Sequence, residues 1–190
     1  CNLCKEAALS VGEKTEYDAV IIFKVGDSSN GWFATLSPKT GGNQEEDFSI
    51  QLMPTEHLTH FAQTAKTPEL AKNYGIAFSK LSAAMAEIMA TENKEFKPTV
   101  ESREKATSVA TYGKCTNWSE KKEHLHIKIF PFRGNIGQPY PVDSSFGRKE
   151  TFKDPKGEFV KMTPVKKVLL SKERFEYLSK RLIQILVGEK

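Results

Sequence analysis

Two histidines that stand two residues apart carry the clearest chemical signal in this sequence. They lie in the segment 123–130, EHLHIKIF, in which polar and apolar residues alternate as in a β-strand with one buried face. His124, His126 and Lys128 are then expected on one face, about 7 Å from one to the next. A neutral imidazole is both a metal ligand and a nucleophile near pH 7, so this strand is a candidate functional element.

A second group of metal-ligand residue types lies elsewhere in the chain. Cys1 and Cys4 form a C-x-x-C motif, and the other two histidines, His57 and His60, share one short segment. Thiolates and imidazoles are the ligands of structural zinc sites, which take four of them. A redox pair is the alternative for C-x-x-C, although the motif does not lie between a predicted strand and a predicted helix. The remaining cysteine, Cys115, is expected to be an inert buried thiol.

Length and composition indicate an ordinary globular protein. The chain has 190 residues, of which 38% are hydrophobic and 27% charged, so one domain with a sizeable core is expected. No segment approaches eighteen consecutive apolar residues, which argues against a membrane span. Because the first residues do not resemble a signal peptide and three cysteines cannot all pair, we expect a cytoplasmic protein.

Charge is distributed unevenly along the chain. Residues 1–120 contain 12 Lys and Arg against 16 Asp and Glu, whereas residues 121–190 contain 16 against 8. The last part is therefore strongly basic and begins close to the histidine strand. It would attract an anionic ligand such as a nucleotide, or it would simply be a solvated basic surface.

The order of the predicted elements indicates the α+β class: an antiparallel sheet, one long helix packed on it and a terminal helix. After a polar opening at residues 1–16, the pattern predicts strands at 19–25, 32–36 and 48–53, a helical turn begun by Thr55, a long helix from Thr67-Pro68-Glu69 to Met89, a charged linker at 93–104, strands at 107–112 and 123–130, a loop from Pro131 to about Pro164, a short strand at 165–170 and a helix capped by Ser171.

Four pieces of the sequence, in this order, resemble the histidine triad (HIT) superfamily, especially its zinc-containing members and its galactose-1-phosphate uridylyltransferase branch. The pieces are the C-x-x-C motif, the strand leading into SPKTG at 37–41, PTEH at 54–57, which is similar to the family's P-x-x-H, and the H-x-H of the histidine strand. The resemblance covers about residues 1–135 and implies a HIT-like fold. Residues 136–190 are expected to form a loop-rich extension that ends in a helix, within a single domain.

The resemblance also implies an activity. In the family, the middle histidine of H-x-H-x-H attacks the α-phosphorus of a nucleotide and forms a covalent nucleotidyl-imidazole, which here implies a nucleotide hydrolase or nucleotidyltransferase with His126 as nucleophile. Family members usually pair through the long helix and an edge strand, so a homodimer is expected. Only His57 has the P-x-x-H spacing, which favours it over His60. The implied ligands of a structural zinc ion are Cys1, Cys4, His57 and His124.

Several positions depart from the family pattern. The third triad position is Lys128, where the transferase branch has glutamine. Three residues before the first histidine, the family has a small polar residue, and this chain has Lys121. Lysines at 121 and 128 can hold phosphate as point charges, Ser119 is the nearest hydroxyl, and Trp118 is a candidate for stacking on a base.

Two other functions fit the same residues. The lysines and the basic last third also suit a non-catalytic nucleotide- or RNA-binding protein on a zinc-stabilised HIT scaffold. A zinc-stabilised protein-interaction module is the other alternative. Both lack turnover, so a nucleotide that becomes covalently bound to the protein is the observation that separates the enzyme from them.

Overall fold

The computed structural model describes residues 1–40, 44–45, 47–92, 108–115, 124–131, 148–163 and 168–188. Its helices and strands, in chain order, are α1 (Asn2–Glu6), β1 (Val20–Val25), β2 (Trp32–Leu36), β3 (Lys39–Thr40), β4 (Ile50–Pro54), a 3₁₀-helix (Phe61–Lys66), α2 (Pro68–Glu92), β5 (Ser108–Cys115), β6 (His124–Pro131), β7 (Arg148–Asp154), β8 (Gly157–Thr163), β9 (Val168–Leu169) and α3 (Lys172–Val187).

The main sheet has five strands in the order β1-β2-β4-β6-β5, and every neighbouring pair is antiparallel. The histidine strand β6 therefore lies between two others, β4 and β5. Its register sets Lys128 opposite Gln51 of β4 and His124 opposite Cys115 of β5. The predicted mixture of helices with an antiparallel sheet is confirmed, and features specific to the HIT fold remain a prediction.

One face of the sheet packs against α2 and α3. The helix α2 begins where its sequence predicts, because the Thr67 hydroxyl accepts a hydrogen bond from the Leu70 N–H at 3.2 Å. The predicted cap of α3 is also present, since the Ser171 hydroxyl accepts from the Arg174 N–H at 3.1 Å. The core between the helices and the sheet contains Leu81 and Met85 of α2, Leu178 and Leu182 of α3, and Leu125, Ile127 and Ile129 of β6.

The apolar residues of α2 thus pack within the monomer core, and the homodimer stays a prediction.

Two ion pairs join α2 and α3, from Arg174 to Glu92 at 2.8 Å and from Arg181 to Glu87 at 2.5 Å. None of the helices in the described part of the chain has the length and apolar character needed to cross a membrane.

The N-terminal segment covers the other face of the sheet. Residues 1–16 do not form a uniformly polar opening, because α1 buries Leu3 and Ala7 against Ile21, Phe33 and Met53. The Lys24 ammonium donates to the backbone carbonyls of Ala7 and Leu9, at 2.7 and 2.8 Å, and thereby fixes the chain just after α1. This second, smaller core positions the C-x-x-C motif.

The helical turn predicted from Thr55 is wrong. Residues 55–60 are irregular, and the helical segment starts later, at Phe61. Its cap is His60, whose ring nitrogen accepts from the Ala62 N–H at 3.1 Å, while the Gln63 side chain accepts from the His60 N–H. A histidine paired with glutamine three residues later replaces the threonine that propensity favours at the N-cap.

The loop predicted from Pro131 to about Pro164 is also wrong in part. Residues 148–163 form a hairpin, β7 and β8, joined by Pro155 and Lys156. The turn sequence Asp154-Pro-Lys-Gly157 has proline and glycine at positions that turns favour, and Gly157 adopts a positive φ of 139°. This turn signal was present in the sequence. The strands on either side of it were not predicted, because their many charged residues obscure the alternation of polar and apolar residues. The predicted linker at 93–104 lies outside the described residues, as do positions 132–147 of the loop.

The packing of α3 can be tested by truncating one buried side chain. Leu178 is fully buried, so Leu178→Ala should lower the free energy of unfolding by about 2–5 kcal/mol. Val187→Ala, on the same helix but half exposed, should change it by less than about 0.5 kcal/mol. Denaturant titrations of both variants measure the difference. Equal costs would contradict the position of α3 in the core.

Candidate metal centre and adjoining pocket

Three separate parts of the chain meet at a group of four metal-ligand side chains. Cys1 and Cys4 lie at the start of α1 and one turn later, His57 follows β4, and His124 begins β6. One ligand atom from each of them lies within 4.8 Å of all the others. These four residues, called the metal group below, could therefore bind a metal ion, and they are the four that the sequence predicted.

The distances among the four side chains fit a tetrahedral site. The Cys4 sulfur lies 3.2 Å from Nδ1 of His57, and Nδ1 of His124 lies 3.5 Å from the Cys1 sulfur and 3.6 Å from the Cys4 sulfur. Tetrahedral bonds of about 2.3 Å to sulfur and about 2.0–2.1 Å to nitrogen require sulfur–nitrogen separations of about 3.6 Å. The group therefore needs only small adjustments to hold an ion at its centre.

A hydrogen bond orients the His124 ring for this role. Nε2 donates to the Pro54 carbonyl at 3.1 Å, which leaves the Nδ1 lone pair directed at the two sulfurs. His124 is completely buried, and burial lowers its pKa; the bond to Pro54 opposes this effect, and the charge of His57 lowers the pKa further. The neutral form that a metal requires is therefore the favoured one.

The choice between His57 and His60 is decided by geometry. The His57 ring is edge-on to the His124 ring, with centroids 5.1 Å apart and an interplanar angle of 87°. The His60 ring instead caps the 3₁₀-helix. Because residues 57–60 are not helical, the two histidines do not share a helical face, and only His57 joins the group.

The predicted catalytic residues lie on the same strand as His124. His126 is partly exposed, whereas Lys128 is only 9% exposed. By the alternation of the strand, both belong to the sheet face that α1 partly covers. The other predicted phosphate- and base-binding residues, Trp118, Ser119 and Lys121, lie outside the described residues.

A pocket of about 560 Å³ adjoins the metal group on this face. It lies between α1, residues 15–19 and strands β2 and β4, and both Cys1 and His124 contribute to its wall. Sequence reasoning missed its most unusual residue, Glu6, which is only 7% exposed. Burial, together with the nearby Glu16 charge, raises the pKa of the Glu6 carboxyl to about 7. No sequence signal marked it, because Glu6 is placed beside Leu3 only by the short helix α1, which the sequence does not predict.

No protein family, curated protein or solved structure matches this chain. The inference of function therefore depends on the residues of the site and on their geometry.

The metal group can be tested with the two neighbouring histidines as a matched pair. His57→Gln removes one of four ligands, so it should reduce bound metal from about one ion per chain to a small fraction and lower the melting temperature. His60→Gln should leave the metal content unchanged. Elemental analysis of protein never exposed to chelator measures both. Loss of metal in the His60 variant alone would contradict the ligand set.

Proposed function

We propose that this protein is a nucleotide hydrolase or nucleotidyltransferase of the histidine triad type, with His126 as nucleophile and a structural zinc ion beside it. The observation that carries the proposal is the immobilised His124 at the start of β6. His126 follows it on the same face of the strand, about 7 Å away by strand geometry. His124 is held by Pro54 on one side and faces the cysteines on the other. The strand therefore holds the reactive His126 in a defined position.

The donor set supports zinc as the metal. Cys1, Cys4, His57 and His124 offer two thiolates and two imidazoles, which are typical of tetrahedral zinc and unlike the oxygen ligands of magnesium or calcium. Four protein ligands leave no open position, so the ion is structural. Its role is to hold α1, the segment after β4 and β6 together, and it takes no part in the chemistry.

The chemistry assigned to His126 is a double displacement at the α-phosphorus. A nitrogen of the neutral imidazole attacks phosphorus, the N–P bond forms, and the bond to the leaving group breaks with its electron pair. In the second step the oxygen of water, or of another acceptor, attacks phosphorus, and the N–P bond breaks as the acceptor loses its proton. Covalent catalysis of this kind divides one difficult step into two easier ones.

Lys128 supports binding of the phosphate groups. The residue is only 9% exposed and belongs to the same face of the strand as His126, and a cation there would offset the charge on the phosphoryl oxygens. The same buried lysine also favours the second candidate function, a nucleotide- or RNA-binding protein without turnover, because an anion site needs no nucleophile. The two functions differ in the covalent intermediate.

Replacement of His126 separates these functions. His126→Ala should abolish turnover and leave nucleotide affinity within about tenfold, because the lost interaction belongs to the transition state. The assay incubates the protein with adenylylated and uridylylated substrates labelled at the α-phosphate and measures free and protein-bound nucleotide. Unchanged metal content and melting temperature show that the variant is folded. Full turnover by His126→Ala would refute the proposal, and nucleotide binding without turnover in the parent protein would favour the second function.

Replacement of Lys128 tests the anion site separately. Lys128→Gln keeps a polar side chain and removes one charge, so it should weaken nucleotide binding and make the remaining binding less sensitive to salt. Binding titrations at low and high ionic strength measure the change. An unchanged salt dependence would indicate that Lys128 does not contact the phosphates.

A further inference from the structure

The pocket beside the metal group contains a buried carboxylate that the proposed reaction does not use. Glu6 lines this pocket and is 93% buried, since only 7% of it is exposed. Among the residues that the structure describes, no side chain forms a hydrogen bond or an ion pair with its carboxylate. The Glu6 oxygens are not among the fully buried polar atoms without a partner, so they remain accessible from the pocket, where a ligand could reach them.

Among the described residues, no cationic side chain forms an ion pair with Glu6. The nearby charged group is another carboxylate, that of Glu16, which pairs with Lys5 at 4.0 Å on the surface. The pocket wall includes one lysine, Lys39, which is exposed. A metal ion of charge +2 held by two thiolates and two neutral imidazoles would leave the metal group uncharged. The pocket interior is therefore suited to a cation.

The other polar groups of the pocket match the donors of an ammonium ion. Thr15 and Thr35 are 6% and 2% exposed, and both contribute to the wall, as do Ser37 and Gln51. Their oxygens can accept hydrogen bonds in addition to those that Glu6 accepts. A primary ammonium group has three N–H donors and no acceptor, so a carboxylate and several hydroxyl oxygens satisfy it completely.

We propose that this pocket binds a small organic molecule through a primary ammonium group paired with Glu6. The volume of about 560 Å³ lies within the range of about 300–1,000 Å³ that is typical of small-molecule sites. The ammonium lies against Glu6, Thr15 and Thr35, and the rest of the ligand occupies the remaining volume of the pocket. His126 does not line this pocket, so the proposed ligand site can be tested independently of the proposed reaction.

The experiment compares pairs of molecules that differ only in whether one position carries an ammonium group or a hydroxyl group. The metal-loaded protein is titrated at neutral pH with cyclohexylamine and cyclohexanol, and with D-glucosamine and D-glucose, and binding is followed by NMR. At least one amine should bind about tenfold or more tightly than its alcohol partner. Equal binding of amine and alcohol, or no binding of either amine at millimolar concentration, would overturn the proposal.

Two variants of equal charge provide the control. Glu6→Gln should weaken amine binding by about tenfold or more, because the carboxylate is replaced by a neutral side chain of the same shape. Glu69→Gln removes the same charge from an exposed position of α2, the helix on the opposite face of the sheet, and should change the affinity by less than about threefold. Equal losses of amine affinity in the two variants would mean that the net charge of the protein causes the effect, and this result would overturn the proposed site. The comparison of amine with alcohol uses the unmodified protein, so it remains decisive if Glu6→Gln fails to fold.

Discussion

The rest of this structure depends on one buried imidazole that is constrained at both nitrogens. Nε2 of His124 donates to the Pro54 carbonyl, and Nδ1 faces the sulfurs of Cys1 and Cys4. A fully buried imidazole requires partners at both positions, and here they come from different parts of the chain. One residue further along β6, the Leu125 N–H donates to the Leu58 carbonyl at 2.7 Å. The start of β6 is therefore joined both to α1 and to the segment that follows β4.

The two faces of the sheet have different compositions for a physical reason. The face under α2 and α3 is apolar and supplies most of the hydrophobic core. The opposite face buries a few apolar side chains beneath α1, but it also buries Glu6, Thr35, His124 and Lys128. Polar groups at buried positions need partners, and His124 has them at both ring nitrogens. That face is where the metal group, the histidine strand and the pocket lie.

The sequence predicts elements whose signals are local and misses those that depend on tertiary contacts. The period-two alternation identified β6, and Thr67 and Ser171 identified the starts of α2 and α3, because these signals act within a few residues. The five-residue helix α1 has no comparable signal, since a helix so short is stable only through its buried Leu3 and the bonds from Lys24. The four candidate metal-binding residues were predictable because cysteine and histidine are rare and chemically distinctive. Glu6 was not, because a glutamate in a short polar segment is usually exposed.

The short helix α1 connects the four candidate metal-binding side chains with the pocket. Cys4 in the helix and Cys1, which caps it, belong to that group of four, and Glu6 in the same helix forms part of the pocket wall. A segment of this length has little stability of its own, and a bound ion contributes folding free energy to whatever holds its ligands. An ion bound by the four side chains would join Cys1 and Cys4 to the strand of His124 and so hold α1 against Phe33 and Met53. Even without an open coordination position, such an ion would therefore affect how well the pocket is formed.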